Sequence, residues 1–107
     1  MSAGWGEPPM NYKAQIQPEA QAEIIEAYQW YEDKAEGLGA EFVRAVDACL
    51  AAIERNPTAY VIVHKQVRRA LLRRFPYGIF YLLEEETIVV LACFHGSRDP
   101  EQWQRRA

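Results

Sequence analysis

The chain is poor in cysteine and has no long apolar run, and each shortage narrows what it can be. Its two cysteines, Cys49 and Cys93, form no CxxC pair and lie near no histidine at a zinc-finger spacing. Neither a disulfide nor a zinc site is expected, and a reducing compartment suits both thiols. His64 and His95 find no third ligand at a suggestive spacing, so no metal and no cofactor is expected. No apolar stretch approaches the roughly 18 residues that span a bilayer, and Met1–Met10 lack the apolar segment of a signal peptide. The expected location is the cytoplasm, with no membrane partner. Length is short as well: 107 residues support one core, which excludes a multidomain enzyme.

What is present is an ordinary soluble composition, 50% hydrophobic and 25% charged, with an uneven charge distribution. Residues 1 to 60 hold ten acids against four bases, and residues 61 to 107 hold five against eight. Lys65, Arg68, Arg69, Arg73 and Arg74 fall within ten residues with no acid among them. A local positive field therefore survives a net charge of −3.

Residues 1–9, broken by Gly4, Gly6, Pro8 and Pro9, read as a flexible tail or non-native extension, and residues 10–107 as a single domain. Tyr12, Ala14 and Ile16 alternate with polar residues up to Pro18, the period of a short strand with one wet face. Pro18 suits the first position of a helix, and Glu19 and Glu23 complement its dipole. Its apolar stripe is read as Ile24, Tyr28, Tyr31 and Ala35, ending at Gly37 to Gly39. Trp30 lies about 120° from that stripe and is expected to be exposed. A second helix is predicted from about Ala40 to Arg55 on the stripe Phe42, Val46, Cys49 and Ile53, stopped by Asn56 and Pro57. The Gly-rich turn makes the two an antiparallel hairpin that needs a sheet to cover.

Val67–Phe75, Ile79–Leu83 and Ile88–Phe94 supply that sheet as consecutive antiparallel strands. Ile88–Phe94 is apolar on both faces and should be central. The pairs Arg68/Arg69 and Arg73/Arg74 send one guanidinium to each face, which marks Val67–Phe75 as an edge strand. Tyr60 to Val63 reads as either a short extra strand or a hydrophobic flap. The expected fold is α+β, a helical hairpin packed on a mainly antiparallel four-stranded sheet, in the order β-α-α-β-β-β with a short C-terminal turn or helix.

That order, with Asn11-Tyr-Lys-Ala-Gln-Ile-Gln-Pro-Glu-Ala20, Arg73-Arg-Phe-Pro-Tyr-Gly-Ile-Phe-Tyr81 and Val90-Leu-Ala-Cys-Phe-His-Gly-Ser-Arg-Asp-Pro100, resembles the RelE/ParE toxin family of plasmid stabilisation proteins over about Met10 to Trp103. The resemblance implies the toxin of a type II toxin-antitoxin pair, growth-arresting and neutralised by a cognate antitoxin that wraps a largely unstructured tail around it. One branch of the family cuts messenger RNA on the ribosome, and the other poisons DNA gyrase without being a nuclease. A third reading is an inactive homologue that only binds antitoxin.

Cleavage by a ribose 2′-hydroxyl needs a proton acceptor, cations for the phosphate and a donor to the leaving oxygen. Arg73 and Arg74 as phosphate clamp, His95 as acid or base, and Tyr77 or Tyr81 as orienting or donating groups are the candidates. The alternative for His95 is closure of a turn by hydrogen bonding to backbone. Where several ribosome-dependent members carry a basic residue before the Ile-x-Tyr strand, this chain has Gly78. Five local cations are also few for entering a highly anionic ribosome. The reading therefore leans to the gyrase-poison branch, with Lys65, Arg69, Arg73, Arg98 and Trp103 as target contacts. Trp30, Glu23 and Glu26, with the sheet edge, are the expected antitoxin site.

Overall fold

The computed structural model describes residues 12–107, so the reading of residues 1–9 falls outside the described residues. The chain forms β1 (Lys13–Ile16), α1 (Pro18–Lys34), α2 (Leu38–Arg55), β2 (Ile62–His64), β3 (Val67–Leu71), β4 (Tyr77–Glu84), β5 (Thr87–His95) and α3 (Glu101–Gln104). Among the described residues no helix is long and apolar enough to cross a membrane.

The helical hairpin forms where the periodicity placed it. Pro18 opens α1, and Gly37, at φ +87°, sits in the left-handed region that a side chain would strain. Glu32 accepts from the backbone N–H groups of Gly37 and Gly39, both at 2.9 Å, and so caps the start of α2 from the end of α1. A Cβ on Gly39 would lie 2.7 Å from the Tyr28 carbonyl, so the two helices can meet this closely only over glycine. The same contact corrects the expected stripe of α1. Ala20, Ile24 and Ala27 face the sheet, Tyr31 is half-buried, and Tyr28 turns toward α2 and stays 39% exposed. Small alanines let the helix approach the strands where bulky tyrosines would hold it away.

Among the described residues the sheet has five strands in the order β1-β5-β4-β3-β2, not four, and it is mixed. β1 runs parallel to β5, from Lys13↔Thr87 to Ile16↔Val90, while the other pairings are antiparallel. The hairpin and three further strands separate β1 from its neighbour in sequence, long enough for the crossover that parallel pairing needs. The fifth strand is β2, on the far side of β3, so the arginine-bearing strand is not the edge. β3 also ends at Leu71, and Arg73 and Arg74 belong to the turn segment before β4.

β5 is covered on both faces, as its composition predicts. Ile88, Val90 and Cys93 join Phe42, Val46 and Ile53 of α2 in the core beneath the helices. Leu91, Ala92 and Phe94 join Val67, Phe80 and Trp103 on the opposite face. Two consecutive residues share that face because the register slips: Phe80 pairs with Ala92 but Tyr81 with Val90, leaving Leu91 as the extra residue of a bulge.

The bulge lies where β5 runs past the end of β1, and its free edge is closed by side chains. The Glu23 carboxylate accepts from the Cys93 N–H at 2.9 Å, and the Arg106 guanidinium donates to the Leu91 carbonyl at 2.9 Å. The two are themselves paired at 2.8 Å with side chains 14% and 22% exposed. An ion pair thus stands in for the carbonyl and amide of a missing strand. At the outer edge of the sheet the Ala14 N–H donates to Glu54 of α2 at 3.0 Å, which gives that edge a charged cover.

Candidate functional site

Two grooves flank the segment that joins β3 to β4. The first, of about 580 Å³, lies between α2 and that segment. Ala45, Ala48, Cys49 and Ala52 fall on one face of α2 by their spacing and make its floor, with Tyr60, Leu71 and Phe75 as wall. Leu71 is 66% exposed, unusual for a leucine within a strand. Arg44, Arg73 and Arg74 stand on the rim against one carboxylate, Glu41. Arg74 pairs with Glu41 at 2.8 Å across exposed surface, a contact worth under about 1 kcal/mol, and its own φ is +70°. Among the described residues Arg44 and Arg73 have no ion pair, so the rim stays positive. Burial pushes the Cys49 thiol up to about 11.

The second groove, of about 530 Å³, is lined by Trp30 and Tyr31 of α1, Pro76 and Tyr77, and the residues after β5: His95, Ser97 and Arg98. Trp30 is 54% exposed and Lys34 lies 4.7 Å over its ring. Tyr77 and His95 are register partners with rings 5.2 Å apart. Burial, then the neighbouring Tyr31, raises the Tyr77 phenol above its ordinary value. The Ser97 N–H donates to His95 Nδ1 at 3.0 Å, and Ser97 Oγ is 2.8 Å from the same nitrogen. In the neutral ring the proton therefore sits on Nε2. Arg98 lies 3.7 Å from Glu26, with side chains 48% and 70% exposed.

These positions separate residues that the sequence reading grouped. Arg73 and Arg74 border the first groove and His95 the second, and neither groove holds all three. Tyr81 is fully buried, and its hydroxyl donates to the Pro57 carbonyl at 2.6 Å. Burial pushes that phenol up to about 12, so it is a core residue and not a proton donor to substrate. Trp103, expected as a target contact, is 5% exposed and stacks on Phe80 at 4.2 Å; its large apolar surface closes the second core instead. Glu23, expected at the antitoxin site, is consumed by Arg106 and the β5 edge.

The remaining candidates stand at the surface. Lys65 occupies the β2–β3 turn with φ +51° and lines neither groove. Arg69 lays its stem over Gly78, where a Cβ would meet its Cγ at 3.2 Å, and its buried Nε has no partner among the described residues. Arg68 is structural, donating to the carbonyls of Thr58 and Tyr60. Among the described residues four arginines pair with carboxylates, yet Lys65, Arg69 and Arg73 have no such partner. An open basic surface remains. Sequence reasoning missed Arg44 and the alanine face of α2, although the spacing of Ala45, Ala48 and Ala52 was there to be read.

A helical hairpin laid on one face of a five-stranded mixed sheet is the architecture of a small α+β toxin of the RelE/ParE kind. A solved structure described as the chromosomal ParDE TA system from P. aeruginosa has this fold, with a TM-score of 0.69 at 14% identity, covering 81% of this chain and 98% of that one. Toxin ParE2 of Mycobacterium tuberculosis, from strains CDC 1551 / Oshkosh and ATCC 25618 / H37Rv alike, is 28% identical over 92 residues, which are 85% of this chain and 88% of the relative. The family model for the ParE toxin of the type II toxin-antitoxin system, parDE, matches residues 14–100. The chain belongs to the ParE toxin family of type II toxin-antitoxin systems.

Proposed function

We propose that this type II toxin arrests growth in the cytoplasm by binding DNA gyrase and poisoning it, and that a cognate antitoxin silences it by laying an acidic amphipathic helix in the α2 groove. The observation that carries the first part is the separation of Arg73 and Arg74 from His95, whose Nδ1 is engaged by its own turn. General acid-base cleavage needs its acid, base and cations around one phosphate. Exposed cations at Lys65, Arg73 and Arg98, with the half-buried Arg69, are suited to contact with a macromolecule. The groove supports the second part: an alanine floor admits a helix closely, and a rim of three guanidiniums favours acidic flanks.

The test is to induce the chain alone in cells and follow both chromosomal breaks linked to gyrase and the integrity of transcripts. Accumulating breaks with intact transcripts are the expected result. Cut transcripts would replace the proposal with ribosome-dependent endonuclease action, and unimpaired growth would leave an inactive, antitoxin-binding homologue. Co-expression of the cognate antitoxin should restore growth, and Arg44→Glu with Ala48→Glu, both in the α2 groove and outside the cations assigned to gyrase, should undo that rescue.

A further inference from the structure

The second groove lies apart from the α2 groove, and its chemistry is that of a ligand site. Trp30, Tyr31 and Tyr77 give it aromatic walls. Lys34 engages the Trp30 indole, yet the side chain is 54% exposed and leaves aromatic surface on which a flat ring can stack. Glu26 is one helical turn before Trp30 on α1, so the two project from the same face. Arg98 reaches across from the loop after β5 to within 3.7 Å of Glu26. The pair is long and exposed, so little is lost when a ligand separates its members. At the same rim, the turn of His95 engages Nδ1 and leaves Nε2 as the ring nitrogen open to a ligand.

A planar ligand that satisfies Arg98 and Glu26 together must show acceptors on one edge and donors on the adjoining one. Guanine does so. O6 and N7 accept from a guanidinium as a bidentate pair, and N1–H and N2–H donate to a carboxylate in the same manner. Adenine offers one acceptor and one donor group to the same partners, and pyrimidines present less surface for stacking. The His95 Nε2–H then remains as a donor for a sugar-linked phosphate, the Ser97 hydroxyl being turned to Nδ1. A volume of about 530 Å³ accommodates a nucleotide.

We propose that the groove between α1 and the β5–α3 loop is a binding site for a guanine base carried on a phosphate, stacked on Trp30 and read by Arg98 and Glu26. The site uses none of the residues that line the α2 groove and shares Arg98 with the proposed target surface; nucleotide binding is read by calorimetry and poisoning by gyrase-linked breaks, so its failure and the failure of the gyrase reading are separate results.

The test is calorimetric titration of the full chain with GMP, AMP and CMP, and with two short single-stranded RNAs carrying one central guanine or adenine among uridines. GMP should bind at least about fivefold more tightly than AMP, in keeping with one bidentate contact. Arg98→Ala and Glu26→Ala should each abolish that preference, and Trp30→Ala should weaken every nucleotide. The thermal midpoint should stay put in all three, because the side chains are exposed. Tighter binding of the guanine RNA than of GMP would identify a strand as the source of the base, and the reverse order a free nucleotide; either supports the site. Absence of binding at millimolar GMP and guanine RNA, equal affinity for GMP and AMP, or a preference that survives Arg98→Ala would overturn the proposal.

Discussion

Arg105 and Arg106 are adjacent, chemically identical and each paired with a glutamate, yet the structure assigns them very different weights. Arg106 donates twice to Glu23, at 2.8 and 3.2 Å, and once to the Leu91 carbonyl, and lies 5.6 Å over the Phe94 ring. Arg105 meets Glu101 at 3.6 Å with side chains 77% and 68% exposed. Breaking a fully buried ion pair costs about 3–5 kcal/mol, because the abandoned charge stays desolvated. Water can reach part of the Glu23–Arg106 pair, so Arg106→Ala should cost about 2–3 kcal/mol. Arg105→Ala should cost under about 0.5 kcal/mol.

In a domain of this size that is a fall in thermal midpoint of roughly 10–20 °C against at most a few degrees. Urea denaturation followed by circular dichroism, with heat unfolding as a second readout, measures both. Replacing Glu23 and Arg106 together by leucine should recover only part of the loss: no charge is then left stranded, but the Cys93 N–H and the Leu91 carbonyl lose their partners. Similar effects of the two alanine variants, or a loss below about 0.5 kcal/mol for Arg106→Ala, would refute the reading of the β5 edge as capped by an ion pair.

Two further outcomes are expected. Burial pushes Tyr81 and Cys93 up to about 12 and Cys49 to about 11, from ordinary values of 10.0 for the phenol and 9.0 for the thiols. The folded state therefore holds these protons more tightly than the unfolded chain, and their contribution is intact below about pH 9. It is lost as the pH rises toward 12, at up to about 1.4 kcal/mol per pH unit for each fully buried group. Urea midpoints measured from pH 8 to 11 should be level at first and then fall, and a constant midpoint would contradict the burial argument. Trp103→Ala removes the ring stacked on Phe80 and should cost about 3 kcal/mol in urea unfolding. A loss under about 1 kcal/mol would mean that α3 is not anchored through this ring.

The sequence was most informative where one residue's neighbours along the chain decide its environment. Helical spacing of apolar residues, Pro18 at a helix start and the Gly37 turn specified the hairpin. The two-faced apolar run Ile88–Phe94 specified a covered strand, and the angular position of Trp30 its exposure. Quoted segments such as Arg73–Tyr81 and Val90–Pro100 carried the resemblance to the RelE/ParE toxins, and the family match bears it out.

Other features depend on groups far apart in the chain. Local periodicity carries no information on strand partners, so the parallel pairing of β1 with β5 and the place of β2 outside β3 became visible only in the folded sheet. Glu23 and Trp103 look like surface residues in sequence, one acidic on a helix and one in a polar C-terminal stretch. Each is drawn inward by a partner remote in the chain, Arg106 for the carboxylate and Phe80 for the indole. The same holds for Tyr81 and the Pro57 carbonyl. By itself the sequence determined the type of the hairpin helices and of four strands, the toxin family and the excess of positive charge toward the C-terminal half, while Tyr60 to Val63 and the C-terminal turn or helix stayed open. Tertiary structure alone decided which cations stay free and which polar groups share a groove, because ion pairing and burial are set by distance in space rather than separation along the chain.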